Sequence, residues 1–281
     1  RTYRTFYGGG NESIQRKSRP QTLQPNAKGN IRKIKMQKIY FASDFHLGVP
    51  THKNSLVREK IIVRWLESIK EDAKSIYLLG DIFDFWFEYK TVVPKGFVRL
   101  LGKLAELTDS GTEIYIIRGN HDLWMYDYLP KEVGIHIMDD KIILEENGKK
   151  IFLAHGDGLG PGDFGYKLIK KIFTNSFCQW LFARLHPNFG IGFAHFWSRK
   201  SRIANQENPE EFLGEQKEWL ASYCKRKQEN NPVDYYVFGH RHLPLEIDID
   251  KACKYINLGD WIYHNSYGVF DGENLELKYF K

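Results

Sequence analysis

Side chains that bind divalent metals are grouped in five short blocks of this sequence. The blocks are Asp44-Phe45-His46, Gly80-Asp81-Ile82-Phe83-Asp84, Gly119-Asn120-His121-Asp122, His155-Gly156-Asp157 and Gly239-His240-Arg241-His242. Each block follows an apolar run that is typical of a buried strand. Residues at the carboxyl ends of strands in an open α/β sheet meet in one crevice. The five blocks are therefore expected to converge on one site.

Such a donor set suits a pair of divalent cations. Two cations roughly 3.5–4 Å apart can clamp a phosphate and lower the pKa of a shared water to about 7. Carboxylates mixed with imidazoles favour manganese, iron or zinc over calcium, and no thiolate is placed to select a softer ion. Asp81 is the natural bridging ligand, since Gly80 lets the backbone bend close to the ions. The set predicts a binuclear metallohydrolase that cuts a phosphate ester.

No single block carries this prediction. An Asp-x-His pair is usually ordinary polarity, and a Gly-Asp-x-x-Asp segment is most often a turn. Gly-Asn-His-Asp is more specific, and the spacing in Gly-His-x-His places both imidazoles on one face of an extended chain. The occurrence of all five in this order is what indicates a metal site.

An alternation of strands and helices is predicted to position the blocks. Two βαβ units followed by many short strands predict an α/β fold of two mixed β-sheets flanked by helices, in four αββα layers. Helices are predicted at about 55–70 and 95–109. Strands are predicted at 38–43, 75–79, 113–118, 135–138, 141–145, 150–154, 233–238, 245–249, 254–258, 266–270 and 274–280.

The interval from His155 to His240 is 85 residues, whereas the other blocks lie 35 to 39 residues apart. Apolar residues recur at helical spacing from Leu168 to Leu185, which predicts one amphipathic helix ending at His186-Pro187. Asn208-Pro209 resembles a second helix start. We therefore expect a helical lid, inserted at about 160–206, at the mouth of the site. Its apolar stripe suits either a packed core or acyl chains and a lipid surface.

The chain's net charge of +6 is unevenly distributed. Residues 1–35 hold nine Lys/Arg and one acid, so the remaining residues carry a net charge of about −2. Residues 164–206 hold seven Lys/Arg, ten aromatic residues and no acid. The first segment is predicted to be a disordered basic tail or a non-native extension. The second is typical of an interfacial element near anionic lipid.

A length of 281 residues that are 42% hydrophobic suits one domain, 36–281, with an insertion. Three separated cysteines without a Cys-x-x-Cys pair suggest reduced thiols and a cytoplasmic protein. No apolar run reaches the roughly 20 residues that span a bilayer, and we find no secretory signal. Membrane contact is expected to be peripheral, on the cytoplasmic face of the inner membrane. The sequence suggests no obligate protein partner.

The five blocks resemble those of the calcineurin-like metallophosphoesterase superfamily over most of 36–281. The resemblance implies that Asp81 bridges two metals, most simply manganese. It also implies that His121 protonates the leaving oxygen or stabilises charge on the phosphate, oriented by Asp84. The implied ligands are Asp44, His46, Asp81 and His242 for one metal and Asp81, Asn120, His155 and His240 for the other.

Within the superfamily, the chain most resembles the UDP-2,3-diacylglucosamine diphosphatases of lipid A biosynthesis. Residues 80–86 (Gly-Asp-Ile-Phe-Asp-Phe-Trp) look like that family's second block, and 258–261 (Leu-Gly-Asp-Trp) resemble its late strand end. Its lid binds acyl chains and a sugar phosphate. The implied contacts with an acylated UDP-sugar are Asp163 and Tyr166 by motif spacing, and Ser201 and Asn205 in the divergent half of the lid. The cations Arg199 and Lys200 cluster beside Trp197, which favours contact with phosphate or lipid over a solvated face.

One position departs from that family, because its well-studied members have arginine where this chain has His121. Histidine is the general superfamily residue, so a broader phosphodiesterase or a nucleotide-sugar pyrophosphatase is the alternative. A nuclease is disfavoured since the body is slightly acidic without its tail, and no nucleic-acid partner is expected. A non-catalytic scaffold on the same fold would be expected to lack a ligand, and none is missing.

Overall fold

Two six-stranded sheets form the centre of the protein. The structure is a computed structural model and describes residues 3–5, 37–49, 54–160, 164–194, 196, 212 and 214–281. In the first sheet, β2, β3, β4 and β5 are parallel, and β11 and β12 extend it with antiparallel pairing. Its spatial order is β12 (Leu275–Tyr279), β11 (Ser266–Phe270), β2 (Lys38–Ala42), β3 (Ala73–Leu78), β4 (Glu113–Ile117) and β5 (His136–Met138).

The second sheet is mixed. Its strands β7, β8 and β10 are parallel, while β6 and β9 pair in the antiparallel sense. Its order is β1 (Tyr3–Thr5), β6 (Lys141–Glu146), β7 (Lys149–Ala154), β8 (Tyr235–Phe238), β10 (Lys254–Leu258) and β9 (Pro244–Asp248). The carboxyl ends of the parallel strands in each sheet therefore lie at one edge of that sheet. The blocks predicted to bind metal follow these ends.

Helices cover the outer face of each sheet. Helices α1 (Ser55–Ile69) and α2 (Val98–Asp109) pack on the first sheet through residues such as Trp65 and Leu104. The two sheets face each other through a buried, mainly apolar layer that includes Phe41 and Leu153. Helix α5 (Trp219–Gln228) covers the second sheet. These are the four αββα layers that the sequence predicts, and the fold class is confirmed.

The lid begins with two short helices, α3 (Phe164–Phe173) and α4 (Ser176–Phe182). The single helix predicted from Leu168 to Leu185 is therefore wrong. Asn175 breaks it, because its side chain accepts hydrogen bonds from Phe177 N and Cys178 N and caps α4. Residues 187–194 form a further helical stretch, and Leu129–Val133 form a short π-helix.

Three residues of the basic tail, Tyr3–Thr5, form strand β1, which pairs with β6 at the edge of the second sheet. The prediction of a disordered tail does not hold for these three residues, and the other residues of 1–35 lie outside the described chain. The predicted helix start at Asn208-Pro209 also lies outside it. Among the described residues, no helix is long and apolar enough to cross a membrane.

Candidate metal centre

The carboxyl ends of five parallel strands bring the predicted donors together. Asp44 and His46 follow β2, Asp81 follows β3, Asn120 follows β4, His155 follows β7, and His240 and His242 follow β8. The strands come from both sheets, so the site lies at one edge of the sandwich. All of the block residues that were predicted to bind metal lie in this region.

The first group of donors is Asp44, His46 and His242. His242 Nε2 lies 3.2 Å from Asp44 Oδ1, and His46 Nε2 lies 3.6 Å from the same oxygen. The two Nε2 atoms are 3.0 Å apart. These three donor atoms are close enough to share one cation.

The second group contains Asp81, Asn120, His155 and His240. His155 Nε2 lies 3.1 Å from Asn120 Oδ1 and 3.4 Å from Asp81 Oδ2. Suitable donor atoms of Asp81, His155 and His240 also lie within 4.8 Å of one another. The same Asp81 oxygen is 3.6 Å from His46 Nε2 in the first group. Asp81 therefore stands between the two groups, as a bridging ligand must.

The buried polar atoms fit bound cations. Asp44 Oδ1 is buried and has no hydrogen-bond partner among the described residues, and an acceptor left in that state is costly. Burial raises the pKa of Asp44, but the adjacent His242 and His46 imidazoles outweigh this effect and hold that pKa below its usual range. Burial likewise opposes ionisation of Asp81, whose pKa the charge of His155 lowers. Both carboxylates are thus held in the form that binds metal.

The imidazoles respond to the same charges. Burial lowers the pKa of His155, yet the nearby Asp81 carboxylate overcomes this and raises it to about 10. Burial and the charge of His155 lower the pKa of His240 to about 4. In the metal-free protein, a protonated His155 therefore balances carboxylate charge that a cation would balance on binding.

His121 and Asp84 adjoin the donor groups. His121 Nδ1 lies 2.9 Å from the Asp84 carbonyl oxygen and 3.4 Å from Asp84 Oδ1. The His121 backbone N–H donates to Asp81 Oδ1 at 2.9 Å. The His121 side chain is 20% exposed, whereas Asp84 is almost fully buried. His121 can thus reach a substrate while Asp84 holds its ring.

Supporting residues that were not predicted lie behind the donors. The fully buried Asp122 carboxylate accepts from Gly119 N at 2.8 Å and Ile82 N at 2.7 Å, which joins two of the blocks. Burial and the charge of Asp81 raise its pKa to about 6. The buried Arg58 guanidinium on α1 donates to the carbonyls of Phe45 and His46. Asp122 stands inside a recognised block, but nothing in the sequence indicates Arg58.

The lid docks beside the metal centre through part of its apolar stripe. Phe182 packs against Phe87 and Trp124 with ring centroids 4.8 and 4.9 Å apart. Trp124 Nε1 donates to the Phe173 carbonyl oxygen at 2.7 Å. At its base, Lys170 Nζ lies 2.8 Å from Asp157 Oδ2. Phe87 and Trp124 follow the second and third blocks, so the lid is fixed to the loops that carry the donors.

The rest of the stripe is exposed. Phe177 is 64% exposed and Trp180 is 51% exposed, and their rings stack on each other. Arg184 lies 4.7 Å from the centre of the Trp180 ring, as in a cation–π contact. Leu168, Ile172 and Leu181 are also exposed. The structure thus divides the stripe into a docking face and an apolar, cationic outer face.

The predicted substrate contacts lie mostly outside the described residues. This applies to Asp163, Arg199, Lys200, Ser201 and Asn205, while Tyr166 belongs to α3 with only its backbone described. Arg118, which follows β4, donates through Nε to the Met125 carbonyl oxygen at 3.2 Å.

The fold and the donor clusters are those of a phosphoesterase. The chain belongs to the calcineurin-like phosphoesterase family, whose sequence profile matches residues 37–244, and it is a metal-dependent hydrolase.

Named relatives narrow the resemblance further. A UDP-2,3-diacylglucosamine hydrolase of Porphyromonas gingivalis is 41% identical over 253 residues, covering 86% of this chain and 97% of that protein. The hydrolase of the same name from Neisseria meningitidis serogroup B is 28% identical over 239 residues, covering 83% and 92%.

Solved structures also align with the chain. An archaeal phosphodiesterase and the E. coli phosphoesterase Yfce each align with a TM-score of 0.42 and 16% identity. The alignments cover 86% and 87% of this chain, and 99% and 100% of those chains.

Proposed function

We propose that this protein hydrolyses the pyrophosphate bond of UDP-2,3-diacylglucosamine, giving UMP and 2,3-diacylglucosamine 1-phosphate for lipid A synthesis. The observation that carries the proposal is the lid: a helical element with an exposed apolar, cationic face is fixed to the loops of a metal centre through Phe182 and Trp124. That combination suits a phosphate diester or anhydride that carries acyl chains. The named relatives support the same substrate.

Two divalent cations, with manganese as first choice and iron or zinc as alternatives, would be held by the two donor groups. Asp44, His46 and His242 would hold one and Asn120, His155 and His240 the other, with Asp81 shared. When bound, such cations stabilise charge on the phosphate and activate the attacking water. A donor set of two carboxylates, one amide oxygen and four imidazoles is consistent with these ions.

His121 is the proposed general acid. The Asp84 carbonyl oxygen accepts a hydrogen bond from His121 Nδ1–H at 2.9 Å. This contact keeps one proton on Nδ1. In the imidazolium, the form that acts as an acid, the second proton is on Nε2 and faces the substrate. From that position His121 would donate to the leaving phosphate oxygen or to a non-bridging oxygen, where negative charge increases in the transition state.

The lid is the proposed substrate-binding element. Asp163, Tyr166, Ser201 and Asn205 would bind the sugar phosphate, and Arg199 and Lys200 would bind its anionic groups. The outer face at Phe177 and Trp180 would receive acyl chains and make peripheral contact with the cytoplasmic face of the inner membrane. An element that pairs aromatic residues with cations is suited to such an interface.

A product assay tests this function. The full chain with manganese is given UDP-2,3-diacylglucosamine, UDP-N-acetylglucosamine, a chromogenic diester or single-stranded DNA. The product of each is quantified: UMP from the two UDP-sugars, the chromophore from the diester and shortened fragments from the DNA. We expect UMP from the acylated substrate with a kcat/KM well above that for the other three. Asp81→Asn removes charge from the shared ligand. Its kcat/KM for the acylated substrate should fall more than about 100-fold, which exceeds the loss expected for a residue that only supports a ligand.

A broader phosphodiesterase or nucleotide-sugar pyrophosphatase is the second candidate, and His121 favours it. In that case the non-acylated UDP-sugar or the chromogenic diester would be cleaved as efficiently as the acylated substrate, and the proposal would be wrong. Cleavage of DNA alone would establish a nuclease. Absence of activity with all four substrates would favour the non-catalytic scaffold.

A further inference from the structure

A buried carboxylate lies behind the ligand His242. Asp260, which follows β10, is fully buried. Its Oδ1 accepts from Tyr263 N at 3.0 Å, His264 N at 3.1 Å and His264 Nδ1 at 3.0 Å. Its Oδ2 has no hydrogen-bond partner within the described parts of the chain and lies 3.8 Å from His242 Nδ1. One oxygen is thus committed to the loop and the other faces the ligand.

The loop that carries Asp260 is fastened to the metal centre. Trp261 N donates to the Asp44 carbonyl oxygen at 3.2 Å. Gly259 has a φ of +69°, and any Cβ there would collide with Ser266 Oγ, so the turn before Asp260 accepts only glycine without strain. The carboxylate is therefore held at a defined position relative to Asp44 and His242.

Metal binding by the first donor group demands one tautomer of His242. His46 Nε2 and His242 Nε2 lie 3.0 Å apart and point to the same place. Both nitrogens can bind a cation only when neither is protonated, which places the proton of neutral His242 on Nδ1. Asp260 Oδ2 is the acceptor that faces this Nδ1–H.

Two of the other proposed ligand histidines have Nδ1 neighbours of a different kind. His155 Nδ1 lies 2.7 Å from the Leu79 carbonyl oxygen, and His46 Nδ1 lies 3.9 Å from Asp84 Oδ1, which also adjoins His121. A carboxylate partner raises the basicity of a ligand imidazole as well as orienting its ring. We infer that Asp260 is a positioning residue that fixes the tautomer and orientation of His242 for metal binding.

Asp260→Asn tests this inference, which rests on the proposed metal centre but not on the proposed substrate. The amide keeps the size of the side chain and an oxygen for the loop N–H groups, but it turns an N–H toward His242. Manganese binding to the metal-free full chain is measured by equilibrium dialysis. We expect one of two sites to weaken about 10- to 100-fold, while the other site is unchanged.

Asp271→Asn is the matched control, because Asp271 Oδ1 also accepts two backbone N–H groups, in the exposed turn between β11 and β12. The inference would be overturned if Asp260→Asn bound manganese as tightly as the control, or if both of its sites weakened equally. If Asp260→Asn does not fold, the wild-type chain labelled with ¹⁵N-histidine and loaded with zinc decides: an Nδ1 proton on His242 supports the inference, and its absence refutes it. Two bound metals without cleavage of the acylated substrate would refute the proposed function alone.

Discussion

Five of the proposed metal ligands have backbone conformations that non-glycine residues rarely adopt. Asp44, His46, Asp81, His240 and His242 all have φ between +43° and +68°. Non-glycine residues in this region cost of order 1 kcal/mol or more each, and they persist only where the surroundings enforce them. Here the enforcing contacts include Asp122, which holds the Asp81 turn, and Arg58, which holds the His46 turn. The strain is concentrated where the donors must turn toward one another.

At the same scale, removal of His121 separates catalysis from metal binding. We expect His121→Ala to lower kcat about 10²- to 10⁴-fold, the range for loss of a general acid. Its manganese content should be unchanged, since His121 is not among the proposed ligands. Single-turnover kinetics and elemental analysis measure the two quantities.

His121→Arg is the informative companion variant, because arginine can stabilise phosphate charge without donating a proton. It should recover part of the rate with the acylated UDP-sugar. Full activity of His121→Ala would remove His121 from the mechanism, and loss of metal in that variant would make it a ligand instead.

The residue types and their spacing reveal the donors, but not what supports them. Each of the seven donors belongs to a motif at a predicted strand end. Asp260 belongs to the segment 258–261, which resembles a motif of the UDP-2,3-diacylglucosamine diphosphatases. Its approach to His242, however, depends on a loop geometry that no sequence pattern shows. Arg58 lies on the buried face of α1, and an isolated buried arginine has no sequence signature. Long-range contacts of this kind require coordinates.

At the scale of elements, hydrophobic periodicity predicts the strands closely. Strands β10 and β11 have the predicted bounds, and strands β2–β9 and β12 differ by one or two residues at one or both ends. Strand β1 is the exception, since the sequence predicts no strand there. Periodicity fails in the lid, because Phe173 and Phe177 stay in phase with one helix although Asn175 ends one helix and caps the next. A short polar cap can interrupt a stripe without altering its apolar spacing.

The divided stripe makes a prediction for the lid. Replacing both Phe177 and Trp180 with serine should raise KM for the acylated substrate about 10-fold or more, since burial of a large apolar side chain contributes roughly 1.5–3 kcal/mol. KM for the chromogenic diester should not change. The double variant should also bind anionic vesicles more weakly in a sedimentation assay.

Val98→Ser is the control, because Val98 is 74% exposed on α2, away from the lid. Phe182→Ser gives the opposite pattern: it removes a docking contact with Phe87 and Trp124, so it should impair both substrates. Equal changes in KM for both substrates in the Phe177/Trp180 variant would mean that the outer face does not receive acyl chains.

At the scale of the whole molecule, the buried charges of the donor groups link stability to pH. The metal-free site holds ionised Asp44 and Asp81 beside a protonated His155, all of them buried. The pKa of His155 is about 10, above its ordinary value. This histidine therefore stabilises the metal-free fold fully below about pH 6.5, and that contribution is lost as pH rises toward 10.

A bound cation reverses this dependence, because it must displace the proton of His155. Manganese at 100 times its Kd should add about 2.7 kcal/mol to the free energy of unfolding, which is several degrees in Tm. Between pH 6.5 and 8.5 the apparent affinity should rise up to about tenfold per pH unit, so the rise in Tm at fixed manganese should grow. Calorimetry with chelator or manganese at each pH measures it. Asp81→Asn should abolish both the rise in apparent manganese affinity with pH and the growing rise in Tm. If manganese raised the Tm of the wild-type chain equally at every pH, His155 would not be protonated in the metal-free protein.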